Sequence, residues 1–182
     1  MIPSRQSGPQ TRRPSPGRLA VALTLALWLL APAPAWAKQA PPPPFQGVLV
    51  RVADGDSFWV QTGQRRVEVR LFGLDCPERD QPWGERAREF TEGFLGREIG
   101  VKPVDVDTHG RVVAWVSLPD GRSLNRELLQ RGLAWWFVRY AAAEKPLARD
   151  WWQALQTRTG LWGDPAPQLP PWEWRRLRPN RR

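Results

Sequence analysis

Between Gly47 and Leu71 the chain alternates apolar and polar residues in three short runs separated by two tight turns. Val48, Val50 and Val52 share one face of the first run. Asp54-Gly55 then turns the chain, and Ser57 to Gln61 reads as the return strand. Thr62-Gly63-Gln64 turns it again, and from Arg66 to Leu71 the residues Val67, Val69 and Leu71 face one way while Glu68 and Arg70 face the other. A period of two with glycine turns dictates an antiparallel meander. Glu98 to Val106 and Arg111 to Leu118 are two further strands.

Helical patterns are interspersed. Asp80 to Leu95 has Pro82 near its first turn and Phe90, Phe94 and Leu95 as apolar contacts. Asn125 to Arg131 is a short helix closed by Gly132, and Lys145 to Thr159 is closed by Gly160. These residues alone specify an α+β fold. The single cysteine, Cys76, excludes an internal disulfide. Stability therefore rests on the core, which ten tryptophans beyond residue 37 can supply.

The first 37 residues read as an export signal. Arg5, Arg12, Arg13 and Arg18 precede an apolar run from Leu19 to Ala31, and Ala35-Trp36-Ala37 has the small-x-small form of a cleavage site. The expected product, cut after Ala37, is periplasmic or secreted, and the membrane is met only during export. Losing four arginines and no acids lowers the net charge from +9 to +5. Arg175, Arg176, Arg178, Arg181 and Arg182 hold that whole excess. A basic end beside a neutral body suits salt-sensitive attraction to polyphosphates, or is a solvated end that aids solubility. The expected organisation is a signal peptide (1–37), a proline-rich linker (38–45), one domain (46–163) and a Pro/Trp/Arg-rich tail (164–182).

Three clusters carry the chemistry: Asp54-Gly55-Asp56-Ser57, the run from Arg70 through Asp75-Cys76-Pro77-Glu78, and His109-Gly110-Arg111. Carboxylates are the strongest ligands for a hard divalent cation. Asp56 begins a strand and Asp75 lies just past the end of another, so pairing of those strands lets both reach one rim. Asp-Gly-Asp alone is equally an ordinary turn. An arginine inside an apolar strand needs a partner. For Arg70 the choices are an ion pair with Glu68, Asp75 or Glu78, or a two-pronged phosphate contact. One histidine and one cysteine are too few for a zinc site or a histidine triad.

The order and spacing of these clusters resemble the staphylococcal-nuclease family, from about Gly47 to about Trp162. Leu124-Asn125, Arg131-Gly132-Leu133-Ala134 and Gly160-Leu161-Trp162 match its downstream motifs, and Gln81-Pro82-Trp83-Gly84 matches a loop of bacterial members. The resemblance implies a five-stranded Greek-key barrel of the oligonucleotide-binding (OB-fold) kind with about three helices. It implies Ca2+ held by Asp56, Asp75 and the backbone carbonyl of Cys76, where the family usually has threonine. It implies Glu78 as general base, Arg70 and Arg111 as the arginines that stabilise the transition state, and Tyr140 as a base-stacking residue. The implied activity is low-specificity hydrolysis of DNA and RNA by a monomer. The alternative is a catalytically silent nucleic-acid-binding module of the same fold. His109 stands where tyrosine is usual, Val138 replaces a second stacking tyrosine, and Trp151 takes a last-helix position often held by glutamate. The expectation for Trp135 and Trp136 is core packing. Trp172-Glu173-Trp174 with the arginine tail is an alternative docking patch for the cell envelope.

Overall fold

The computed structural model describes residues 40–178, which fall within one compact unit. The expected signal segment and the last four residues lie outside the described residues. Five strands close into a barrel in the order β1-β2-β3-β6-β5: β1 (Phe45–Asp54), β2 (Ser57–Thr62), β3 (Arg65–Leu71), β5 (Glu98–Val106) and β6 (Val112–Ser117). All neighbours are antiparallel except β3 and β6, which run parallel. This is the expected α+β Greek-key barrel, and closure leaves no free sheet edge. A two-residue ladder lies outside it, pairing β4 (Leu74–Asp75) with β7 (Trp135–Trp136).

Five helices occur among the described residues: α1 (Gly84–Glu92), α2 (Leu124–Gln130), α3 (Val138–Ala141), α4 (Lys145–Gln156) and α5 (Pro171–Leu177). Three match the expected helices, with α1 starting later than Asp80. The two additional ones are short, and α5 lies in the tail.

The face expected to be shared by Val48, Val50 and Val52 holds for the first two, while Val52 packs against the core. In β1 the core residue is Leu49, fully buried, while Val48 and Val50 face outward. The pairing steps from Leu49↔Val60 to Arg51↔Trp59, so Val50 is an extra residue on β1. That bulge breaks the period of two on which the face assignment relied. β3 follows the expected alternation, with Val69 and Leu71 buried.

The barrel interior is filled by Phe58, Val60, Val69, Ile99, Val101 and Ala114, and continues into Leu124, Leu128 and Leu147 beneath α2 and α4. Buried Asn125 joins the two parts. Its Oδ1 accepts the Val116 N–H at 2.9 Å, and its Nδ2 donates to the carbonyls of Phe72 (2.9 Å) and Ala114 (3.2 Å). One side chain therefore ties the end of β3 to β6, the two strands that carry Arg70 and follow Arg111.

Candidate active site

The β1–β2 turn brings Asp56 to β3. Ser57 pairs with Arg70, and the Asp56 carbonyl accepts the Leu71 N–H at 2.8 Å. The Asp56 N–H donates to Asp54 Oδ1 at 3.1 Å, a local turn bond of the kind aspartate favours. Gly55 is required by contact: a Cβ there would lie 2.7 Å from both Cys76 Sγ and Ala87 Cβ. Thr91 of α1 donates to the Gly55 carbonyl at 2.7 Å and pins the turn.

Asp75 reaches the same place because the β4–β7 ladder holds it opposite Trp135. Arg70 Nη2 lies 2.6 Å from Asp75 Oδ1 and 3.3 Å from Asp56 Oδ2. Cys76 donates its backbone N–H to Asp56 Oδ2 at 2.9 Å, and Ser57 Oγ donates to Asp56 Oδ1 at 2.8 Å. Of the ion-pair partners open to Arg70 in the sequence, the structure selects Asp75 and adds Asp56. Both contacts use one nitrogen of a fork with five donors.

Glu78 follows on a loop stiffened by Pro77. Its N–H donates to Gln81 Oε1 at 3.1 Å, and its carbonyl accepts the Gln81 N–H at 2.9 Å. Helix α1 packs directly on this loop: a Cβ at Gly84 would stand 1.8 Å from the Glu78 carbonyl oxygen. The Glu78 carboxylate is joined to the others by Arg175 of α5. Arg175 Nη1 is 2.5 Å from Glu78 Oε1, and Nη2 is 2.6 Å from Asp75 Oδ2.

The electrostatics are those of crowded acids. Burial first, and then the charge of Asp56, push the Asp54 carboxyl up to about 8. Burial raises Asp75 as well, with Arg175 and Arg70 pulling against it and Asp56 adding to it. Asp56 and then Asp75 hold Arg70 firmly charged against the cost of its burial. Burial pushes the Cys76 thiol up, which favours its neutral form. Among the described residues, no three His, Cys, Asp or Glu side chains form a ready-made ligand set. The donors gathered are oxygens of Asp56 and Asp75, with Asp54 alongside, and their mutual repulsion is what a hard cation relieves. That donor chemistry fits calcium.

Arg111 stands apart from this cluster. Its Nε is 2.7 Å from Asp107 Oδ2 and its N–H is 3.0 Å from Asp107 Oδ1. It precedes Val112 and lies two positions before Val113, the register partner of Arg70. It therefore shares a face of the parallel pair with Arg70, offset by two residues, and its ion pair is with Asp107 and not with the clustered carboxylates. Tyr140 is 65% exposed and packs edge-on against Phe137 with centroids 5.0 Å apart. Trp135 and Trp136 are half-buried among Trp162, Trp172 and Trp151, as core packing requires.

The described part of the tail packs on the domain, which corrects the expectation of a solvated end. Trp172 stacks on Phe137 with centroids 5.2 Å apart and planes 10° apart. Trp174 Nε1 donates to Asp80 Oδ1 at 3.1 Å, and Gln81 Nε2 donates to the Leu169 carbonyl at 2.6 Å. Asp54 and Arg175 are the site residues that sequence reasoning missed. Asp54 belongs to an Asp-Gly-Asp run in which Asp-Gly also reads as an ordinary turn, and nothing local marks Arg175.

A small α+β barrel with oxygen-donor carboxylates and arginines at one end defines the class, and comparison with known proteins identifies the family. The family model described as staphylococcal nuclease homologue matches residues 68–164. The chain is 35% identical to Protein ParB of Escherichia coli over 181 residues, covering 94% of this chain and 98% of that one. It is 34% identical to Micrococcal nuclease of Shigella flexneri over 172 residues, 87% of this chain and 93% of that one. An uncharacterized endonuclease of Escherichia coli is 33% identical over 131 residues, 71% and 84% of the two chains. The chain belongs to the staphylococcal nuclease family.

Proposed function

We propose that this protein is an exported, calcium-dependent endonuclease that hydrolyses phosphodiester bonds of DNA and RNA with little sequence preference. Its membership of the family makes it a phosphodiester hydrolase acting on nucleic acid. The finer reading is supported by one observation: Asp56, Asp75 and Arg70 converge within hydrogen-bonding distance, and Glu78 is tied to the same carboxylates through Arg175.

In this reading Asp56, Asp75 and the Cys76 carbonyl hold the cation, with Asp54 adjacent. A bound calcium supplies charge neutralisation at a phosphate oxygen and a fixed orientation for water. Glu78 takes a proton from the attacking water. The donors of Arg70 not turned to Asp56 and Asp75 face the phosphate, and Arg70 and Arg111 together stabilise charge on the transition-state oxygens. The water oxygen bonds to phosphorus as the bond to the 5′ oxygen breaks, leaving a 3′-phosphate, and the departing 5′ oxygen takes a proton from solvent to become a 5′-hydroxyl. Exposed Tyr140 gives an unpaired base a stacking surface. Cleavage of DNA and RNA in calcium against chelator, with end-group analysis, tests the reading; cleavage that is indifferent to chelator refutes the metal requirement.

A further inference from the structure

We infer that Arg175 is a further active-site residue, a built-in stand-in for the divalent cation, and that α5 carries it as a latch which calcium must displace. The inference rests on the calcium site proposed above.

Arg175 occupies Asp75, one of the two carboxylates proposed to hold the cation. Asp75 Oδ2 accepts from Nη2 at 2.6 Å, and Asp75 Oδ1 accepts from Nη1 at 3.2 Å beside the 2.6 Å contact from Arg70. Both oxygens of a carboxylate that is 1% exposed are thus engaged by guanidinium groups. Calcium binds carboxylate oxygen at about 2.3–2.6 Å. An ion at that range from Asp75 Oδ2 meets a cation already 2.6 Å from the same oxygen. The guanidinium and the metal are therefore alternatives on Asp75. The same guanidinium pairs with Glu78 at 2.5 Å, so the latched state also occupies an oxygen of the proposed base.

The latch has its own seat. Asp80 accepts from Trp174 and pairs with Arg178 at 3.4 Å, and the Arg178 guanidinium lies 4.0 Å over the Trp174 ring. Asp80 lies two residues beyond Glu78, so α5 grips the loop that carries the base. Its grip is polar and aromatic. Arg175 and Leu177 are exposed, and Pro171 is the one buried residue of this seven-residue helix. The apolar anchor, Pro171 and the stacked Trp172, lies in the first turn, whereas Arg175 to Arg178 are exposed. The last turn therefore releases at modest cost while the first stays seated. Exchange replaces one positive charge among the acids with two, which favours the metal once it is abundant. An exported enzyme of this design stays closed where free calcium is scarce and opens where it is plentiful.

Calorimetric calcium titration of the purified protein without nucleic acid tests this, with wild type, Arg175→Gln and Trp174→Ala compared. A latch closed nine times in ten weakens apparent calcium affinity about tenfold. Arg175→Gln is therefore expected to bind calcium about tenfold more tightly, and Trp174→Ala to shift the same way without touching the carboxylates. Calcium is also expected to speed tryptic cleavage after Arg175 and Arg176 in the wild type. Equal or weaker calcium affinity in a folded Arg175→Gln protein overturns the latch while leaving the calcium site intact. Weaker affinity in both variants, or a tail that stays protected in saturating calcium, overturns it too. If neither wild type nor Arg175→Gln binds calcium, the cation site itself fails and takes the latch with it.

Discussion

The carboxylate of Asp56 accepts the backbone N–H of Cys76 at 2.9 Å, joining two loops twenty residues apart in sequence. That bond sets the distance between Asp56 and Asp75, because Cys76 directly follows Asp75. The site geometry is thus carried by main chain and does not depend on the Cys76 side chain, whose burial keeps its thiol protonated.

Glu78→Gln removes the proposed base and keeps the shape of its loop, since the bonds to Gln81 use Glu78 backbone atoms. Turnover in calcium is expected to fall by about two to four orders of magnitude, with an unchanged circular dichroism spectrum. A Glu78→Gln enzyme with wild-type single-turnover rate excludes the general-base role.

Arg70→Ala takes from buried Asp56 its guanidinium partner and leaves buried Asp75 with Arg175 alone. Breaking such a pair costs roughly 3–5 kcal/mol, and losing a transition-state donor costs about a hundred- to a thousandfold in rate. Thermal unfolding in chelator should show the loss, and added calcium should restore part of it by neutralising the same acids. A variant whose melting temperature ignores calcium contradicts this electrostatic account.

Asn125→Ala deletes three buried hydrogen bonds that join β3, β6 and α2. The expected destabilisation in a urea titration is at least about 2 kcal/mol, from buried groups left unpaired. Activity at temperatures where the variant is folded should drop as well, because β3 and β6 lead to Arg70 and Arg111.

Asp107 tests the seat of Arg111. Burial pushes this carboxyl up, but the backbone and guanidinium of Arg111 and the His109 N–H outweigh it and hold it below its ordinary value. A depressed carboxylate contributes stability that is present above the unfolded value, about 3.9, and is lost as pH falls through the lowered one. Asp107→Asn should therefore be less stable than wild type near neutrality, and the gap should close in acid. A gap that is constant across that range removes Asp107 as an ionic anchor.

What the sequence disclosed follows from how local each feature is. β2, β3, β5 and β6 came from alternation and glycine turns, which are short-range signals. Val52 departs from the face of Val48 and Val50 because the extra residue in the register between Leu49 and Arg51 leaves no mark in composition. The convergence of Asp56, Asp75 and Arg70 was expected from strand pairing, but the choice among Arg70's partners needed three-dimensional distances. Arg175 was hidden because its contact with Asp75 spans 100 residues. A Pro/Trp/Arg-rich stretch also reads as solvated unless the aromatic platform of Phe137 and Trp135 beneath it is already known.

The most direct measurement is single-turnover cleavage of a defined DNA strand by wild-type protein and by Asp75→Asn, each in calcium and in chelator. The account predicts rapid cleavage to 3′-phosphate ends by wild type in calcium alone, and slow cleavage by the variant in either condition. Wild-type cleavage that persists in chelator, or an Asp75→Asn protein that cuts as fast as wild type in calcium, would contradict it.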